Sequence, residues 1–174
     1  RVKISLELGS RVVGQLNHLP IRFLSFLKII TNCGLMLNLV KIVIWNISGA
    51  SRKDCLRYLQ KSRNANAIRL LVLLEPLSDS PQLEVVRRFL GFDRALGALN
   101  NKVWVLWYNE MSLSFREMAD QLLHMNVAFS SGCSVQFSVV YARCSRGGDA
   151  SCGQQWKVWR AKCRGLGYWQ EILM

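Results

Sequence analysis

An α/β fold is what the chain predicts, on three observations. Two apolar runs of strand length, the β-branched 39–45 and the near-continuous 68–74, are each followed by a stretch with helical spacing. Beyond Asn100-Asn101 the chain changes to short strand-like runs punctuated by Asn, Ser and Gly. With 174 residues, 51% of them apolar and 20% charged, it has the length and composition of one core-forming domain. That composition excludes a disordered, solvating segment.

The elements follow in order. Residues 19–30 are apolar but contain Arg22 and Lys28 and do not alternate. Without a clean period, the plain expectation is an amphipathic helix, the stretch being too short and too charged for a membrane span or a signal peptide. After Met36, Leu39-Val40-Lys41-Ile42-Val43-Ile44-Trp45 predicts a strand, closed by turn chemistry from Asn46 to Gly49. Ser51 precedes a basic stretch, Arg52 to Arg63, in which Cys55, Leu56 and Leu59 share one helical face, and Asn64 to Asn66 end it. Residues 68–74 form a near-continuous apolar run, as a strand buried on both faces does, and Glu75-Pro76 closes it. Pro81 suits a helical first turn, Leu83, Val86 and Leu90 share a face, and Gly91 ends the helix. Runs at 103–107, 113–118, 122–129 and 135–141 then predict strands. In the last of these, Val135, Phe137 and Val139 face one side and Gln136, Ser138 and Val140 the other.

Charge and cysteine usage narrow the class. Against 11 acidic residues stand 23 Lys and Arg, a net +12 spread along the chain rather than gathered in a tail. Such a surface draws polyanions by counterion release. Arg52, Lys53, Arg57 and Lys61 are the candidate nucleic-acid contacts, with a plain solvated helix face as the alternative. No uncharged apolar stretch is long enough to span a bilayer, so no membrane partner is expected. The 6 cysteines contain no Cys-x-x-Cys, and with only His18 and His124 beside them they predict reduced thiols rather than a zinc site. That usage predicts an intracellular protein, nuclear or cytoplasmic. Both histidines read as structural. Nothing in the chain indicates an oligomeric state.

The most suggestive pair is Asn46 at the end of one strand and Glu75 at the end of a buried neighbour. Were the strands adjacent and parallel, both would stand on one rim of the sheet. A lone carboxylate with an amide oxygen and water is the smallest oxygen shell that suits Mg²⁺.

Five ordered blocks add a resemblance: Val43-Ile44-Trp45-Asn46-Ile47-Ser48-Gly49-Ala50, Leu71-Val72-Leu73-Leu74-Glu75-Pro76, Leu90-Gly91-Phe92-Asp93, Val103-Trp104-Val105-Leu106-Trp107 and Val139-Val140-Tyr141-Ala142. In order and spacing they resemble the first half of the endonuclease/exonuclease/phosphatase family, specifically the endonuclease domain of plant non-LTR (LINE-type) retrotransposons. The resemblance implies the N-terminal half of a DNase I-like, four-layered α/β sandwich, with DNA as partner and Mg²⁺ as cofactor. Residue by residue it implies that Asn46 lies near metal and phosphate, that Glu75 binds the metal, and that Tyr141 touches the scissile phosphate.

The family's later blocks, Gly-Asp-Phe-Asn with its catalytic aspartate and Ser-Asp-His with its general base, do not occur here. Three regions follow: 1–35 as an upstream extension outside the domain, 36–148 as the N-terminal part of the nuclease-like domain, and 149–174 as a divergent tail. The expectation is a truncated, inactive remnant of a phosphodiester hydrolase. The alternatives are a noncatalytic basic nucleic-acid binder and a translated fragment with no selected function.

Overall fold

Side chains along a strand alternate between faces, so runs that are apolar at every position need cover on both sides. The computed structural model supplies that cover. It describes residues 2–8, 23–33, 36–47, 53–119, 122–130, 132–140 and 171–173, with side chains at 40–47, 53–118, 122–130 and 132–139. In chain order the elements are β1 (Val2–Leu8), β2 (Phe23–Cys33), β3 (Met36–Asn46), α1 (Lys53–Asn66), β4 (Ile68–Leu74), α2 (Ser80–Leu90), β5 (Arg94–Ala98), β6 (Val103–Trp107), β7 (Met111–Ala119), β8 (Leu122–Phe129), β9 (Ser134–Val140) and β10 (Glu171–Leu173). One sheet has the order β1-β2-β3-β4-β6-β5 and the other β10-β9-β8-β7. The protein is therefore α/β, with two helices and two sheets among the described residues.

Two cores divide at the larger sheet. On one side Val43, Trp45 and Ile47 of the β3 segment, Leu71 and Leu73 of β4, and Trp104 and Leu106 of β6 pack under Cys55, Leu56 and Leu59 of α1 and Leu83, Val86 and Leu90 of α2. On the other, Ile42, Ile44, Leu70, Val72, Leu74, Val103 and Val105 meet Leu123, Met125, Val127, Val135, Phe137 and Val139 of the smaller sheet. The layers are helices, sheet, sheet. Each fully buried aliphatic side chain stabilises the fold by about 1.5–3 kcal/mol relative to exposure, and β4 has six of its seven side chains buried.

Local chemistry sets the helix ends. Asp79 caps α2 by accepting the Gln82 N–H at 3.3 Å. Gly91 closes it in the left-handed region at φ 70°, its N–H directed to the carbonyls of Arg87 and Arg88. A Cβ at Gly91 would stand 2.6 Å from Arg63 Nη1, which that flexible side chain could yield to, so it is the left-handed backbone that calls for glycine. From there the Arg63 guanidinium donates to the carbonyls of Leu90 and Gly91 and to the Tyr108 hydroxyl, tying the end of α1 to the end of α2.

The helix expected over 19–30 is not formed: Phe23–Cys33 is a strand, antiparallel to β3 and in register from Phe23↔Asn46 to Cys33↔Met36. β3 otherwise has one flank without hydrogen-bonding partners, and a segment rich in Phe, Ile and Thr satisfies that flank better as strand than as helix. β1 pairs in turn with β2, so the stretch set apart as 1–35 contributes two strands to the same sheet. Of the expected tail, Glu171–Leu173 pairs parallel with β9. Among the described residues no helix is long and apolar enough to cross a membrane.

Candidate functional site

β3 and β4 run parallel, with Asn46 opposite Leu74. The pairing extends one step further, because the Ile47 N–H donates to the Leu74 carbonyl at 3.0 Å. Glu75 follows at once, so Asn46 and Glu75 stand at neighbouring positions on one rim, strands there being about 4.8 Å apart. Both are half-buried. By alternation Asn46 shares the face of Ile42 and Ile44, toward the second sheet. Glu75 leaves the strand with φ 51°, and its N–H donates to the Lys102 carbonyl at 2.9 Å.

That bond draws a second group of residues to the same rim. β6 pairs antiparallel with β4 from Leu74↔Val103, so the turn between β5 and β6 lies beside Glu75. Asn100 and Asn101 have φ 53° and 60°, and the Lys102 N–H closes the turn on the Leu99 carbonyl at 3.1 Å. This is the left-handed pair that a tight hairpin demands and that asparagine tolerates. Asn101 folds back over Gly97, its Oδ1 lying 2.5 Å from where a Cβ would be, and its Nδ2 donates to Ser80 Oγ at 3.0 Å. Ser80 is the first residue of α2, so α2 begins at this rim.

The other helix begins there too. α1 lies between the end of β3 and the start of its parallel neighbour β4, so its first residue, Lys53, is at the β3 end. The ties between the helices agree with this direction, since Gln60 Nε2 donates to the Phe89 carbonyl and Arg63, three residues later, reaches those of Leu90 and Gly91. The N-termini of both helices, with their partial positive charge, and the residues Lys53 and Lys102 thus belong to the same end of the sheet as Glu75 and Asp79. Such a rim favours an anion, or an anion with a cation beside Glu75.

The remaining candidates divide. Lys53, Arg57 and Lys61 are exposed at intervals of four on α1, forming one row that starts at the rim. Arg52 and Tyr141 lie outside the described residues, as does His18. His124 is away from the rim, on β8, where it is buried and its Nδ1 lies 3.0 Å from Ser138 Oγ. Among the described residues no group of three or more His, Cys, Asp or Glu side chains converges. Sequence reasoning missed Asn100, Asn101 and Lys102 as part of the rim. The Asn-Asn turn signal was visible, but its place beside Glu75 depends on the pairing of β6 with β4.

Burial holds the His124 pKa below its ordinary 6.5, against the opposing pull of Glu117, which is its partner in register across β7 and β8. The folded chain therefore binds fewer protons than the unfolded chain in this range. Stability is complete above the unfolded pKa and falls as the pH drops below it toward the folded value. Melting temperatures measured from pH 7.5 down to about pH 5 should decline, and His124→Gln, which keeps a partner for Ser138, should flatten that decline. An equal decline in the variant would assign it to the carboxylates instead.

No family model matches the chain, and no curated protein matches it.

Proposed function

We propose that the chain is the N-terminal part of a DNase I-like sandwich of the retrotransposon endonuclease type, keeping the rim that faces phosphate and Mg²⁺ but not the groups that complete hydrolysis. The observation that carries this reading is that Asn46 ends β3 opposite Leu74, the residue before Glu75, at the same end of two parallel strands. The layering supports it, since helices on sheet on sheet is three layers of such a four-layered sandwich. Glu75 and Asn46 would hold the ion, for Mg²⁺ keeps several waters and takes few protein oxygens. Bound there, Mg²⁺ would offset charge on phosphoryl oxygens. The chain's own contribution is to position a DNA strand: Lys53 and Lys102 attract it, Asn46 offers an amide to a phosphate oxygen, and Tyr141 carries the phosphate contact the resemblance implies.

Glu75 makes the reading testable, because its effect changes sign with the ion. Without divalent cations its carboxylate repels phosphate, so Glu75→Gln should bind duplex DNA roughly fivefold more tightly in fluorescence anisotropy, the worth of about 1 kcal/mol of repulsion. With Mg²⁺ the order should reverse, the unsubstituted chain becoming the tighter binder. Supercoiled plasmid should stay intact throughout. Equal affinities of chain and variant in both conditions would remove Glu75 from the DNA surface, and nicking that disappears in Glu75→Gln would overturn the loss of hydrolysis.

A second reading, binding to nucleic acid without any metal role, is favoured by the exposed row Lys53, Arg57 and Lys61. It predicts no change of order with Mg²⁺.

A further inference from the structure

The outer surface of the helical layer carries two exposed rows. On α1, Lys53, Arg57 and Lys61 recur at intervals of four, and on α2 Pro81, Val85 and Phe89 do the same. All six are exposed, Val85 at 56% and Phe89 at 41%. A single exposed valine or phenylalanine is ordinary. A row at helical spacing, beside the Leu83–Val86–Leu90 row that packs on the sheet, is a second apolar stripe on one short helix.

The contacts of each helix show which way the rows face, given that successive side chains turn about 100° around the axis. On α2, Leu83 lies over β5, 3.5 Å from where a Cβ on Gly97 would stand, and Arg87 donates to the carbonyls of Phe92 and Asp93, which lead into β5. Both lie to one side of the buried Val86, whereas Phe89 and Val85 lie about 60° and 100° to the other. β5 is the edge strand beyond β6, away from β3 and β4 over which α1 packs, so Phe89 and Val85 are on the α1 side. On α1, Gln60 faces α2, donating to the Phe89 carbonyl at 3.0 Å, while Tyr58 takes the opposite flank against Trp45 of β3. Lys53 and Arg57 lie within about 60° of Gln60 around the helix, on its solvent side, since Cys55, Leu56 and Leu59 fill the sheet side. The cationic and apolar rows therefore border one furrow. They are also in step: Gln60 reaches Phe89 and Arg63 reaches Leu90 and Gly91, which sets Lys61 level with Phe89 and Arg57 with Val85 to within a residue.

We propose that this furrow docks an acidic amphipathic helix of a partner protein, its apolar stripe on Val85 and Phe89 and its Asp or Glu row facing Lys53, Arg57 and Lys61. Charge complementarity selects an acidic partner over a neutral or basic one. The apolar row selects a polypeptide over nucleic acid, because a phosphate backbone offers nothing to Val85 and Phe89, whereas a helix laid in a groove presents both kinds of side chain at this spacing. Bound there, the partner covers the α1 cations and competes with any DNA drawn to them. The inference stands apart from the nuclease reading.

The test uses the full chain and a fluorescein-labelled synthetic peptide of about five helical turns, with Glu and Leu in two neighbouring rows at intervals of four. A peptide of the same composition with the rows scrambled is the control. Fluorescence anisotropy should show the patterned peptide binding about tenfold more tightly than the scrambled one, the worth of one apolar side chain leaving water. Val85→Gln with Phe89→Gln should remove that advantage and leave affinity for duplex DNA unchanged. Arg57→Glu should weaken the patterned peptide and make its binding less sensitive to salt. Glutamine is a better helix former than valine or phenylalanine, so the melting temperature of the double variant should hold. If Phe89→Gln lowers it, Val85→Gln alone makes the same comparison. Equal affinity for the two peptides, or an advantage that survives the glutamine substitutions, would overturn the furrow and leave only nonspecific attraction of acidic chains. A loss of DNA affinity as large as the loss of peptide affinity would assign the apolar row to a nucleic-acid surface and overturn the protein partner.

Discussion

Trp104→Ala should destabilise the chain by about 3–5 kcal/mol, a large part of the stability of an ordinary domain. Trp104 is 0% exposed. It lies in a row across the larger sheet in which Trp45, Leu73, Trp104 and Gly97 are successive register partners. Beyond the backbone ladder, the indole rings support that row by packing: the N–H groups of Trp45 and Trp104 are buried without an acceptor. A buried donor left unpaired costs about 1–3 kcal/mol, so each ring contributes through its area and not through its polar atom. Trp104→Phe should consequently be far milder than Trp104→Ala, since it removes the unpaired donor together with part of the volume. Urea titrations followed by circular dichroism measure both. If phenylalanine were as damaging as alanine, the indole shape or its N–H would matter in a way the packing account does not allow. Trp45 differs because its ring meets Tyr58 edge-on, centroids 5.4 Å apart, and a phenylalanine there would keep that contact.

The same row explains which parts of the fold were legible in the sequence. Residues 68–74 were readable as a central strand because burial on both faces leaves no polar alternation. α2 was readable because Pro81, the Leu83–Val86–Leu90 spacing and Gly91 are local signals. β5 was not, since Arg94-Ala95-Leu96-Gly97-Ala98 has no strand composition and becomes a strand only by pairing with β6. β2 was misread as a helix for the same reason, its partner β3 being the cause of its conformation. Alternation over residues 135–140 put Ser138 on the face opposite Val135, Phe137 and Val139, and there it is buried against His124; the period tells which face a residue takes, not whether that face is covered. At the candidate site, Asn46 and Glu75 were legible from the ends of two apolar runs. Lys102 and the Asn100-Asn101 turn come to the same rim through antiparallel pairing of β6 with β4, a contact that no local pattern encodes.

Reversing three charges on α1, with Lys53→Glu, Arg57→Glu and Lys61→Glu together, should weaken binding to duplex DNA by roughly two orders of magnitude and make the logarithmic salt dependence shallower by about three. These cations form an exposed row, whereas on α2 Arg87 is half-buried and engaged. On α2, Glu84 accepts from Arg87 at 2.6 Å and from Arg88 at 3.0 Å, and these bonds lower its pKa to about 2. Arg87 is the more firmly held of the two, since it is 22% exposed and also donates to the carbonyls of Phe92 and Asp93, whereas Arg88 is 73% exposed in a solvated pair. On α1 only Arg57 has a described carboxylate near it, Asp54 at 3.8 Å with both side chains largely exposed, a pair too solvated to compete with a phosphate. The substitutions should spare the fold, because all three side chains are exposed and an acidic residue in the first helical turn suits the helix dipole. Row and rim also make separable contributions. The α1 cations should set the salt dependence alike for every DNA sequence, whereas Glu75 should set the response to Mg²⁺. If triple reversal left the salt slope unchanged, the row would be a solvated helix face, and the attraction for DNA would have to arise at the rim, from Lys102 and the two helix N-termini.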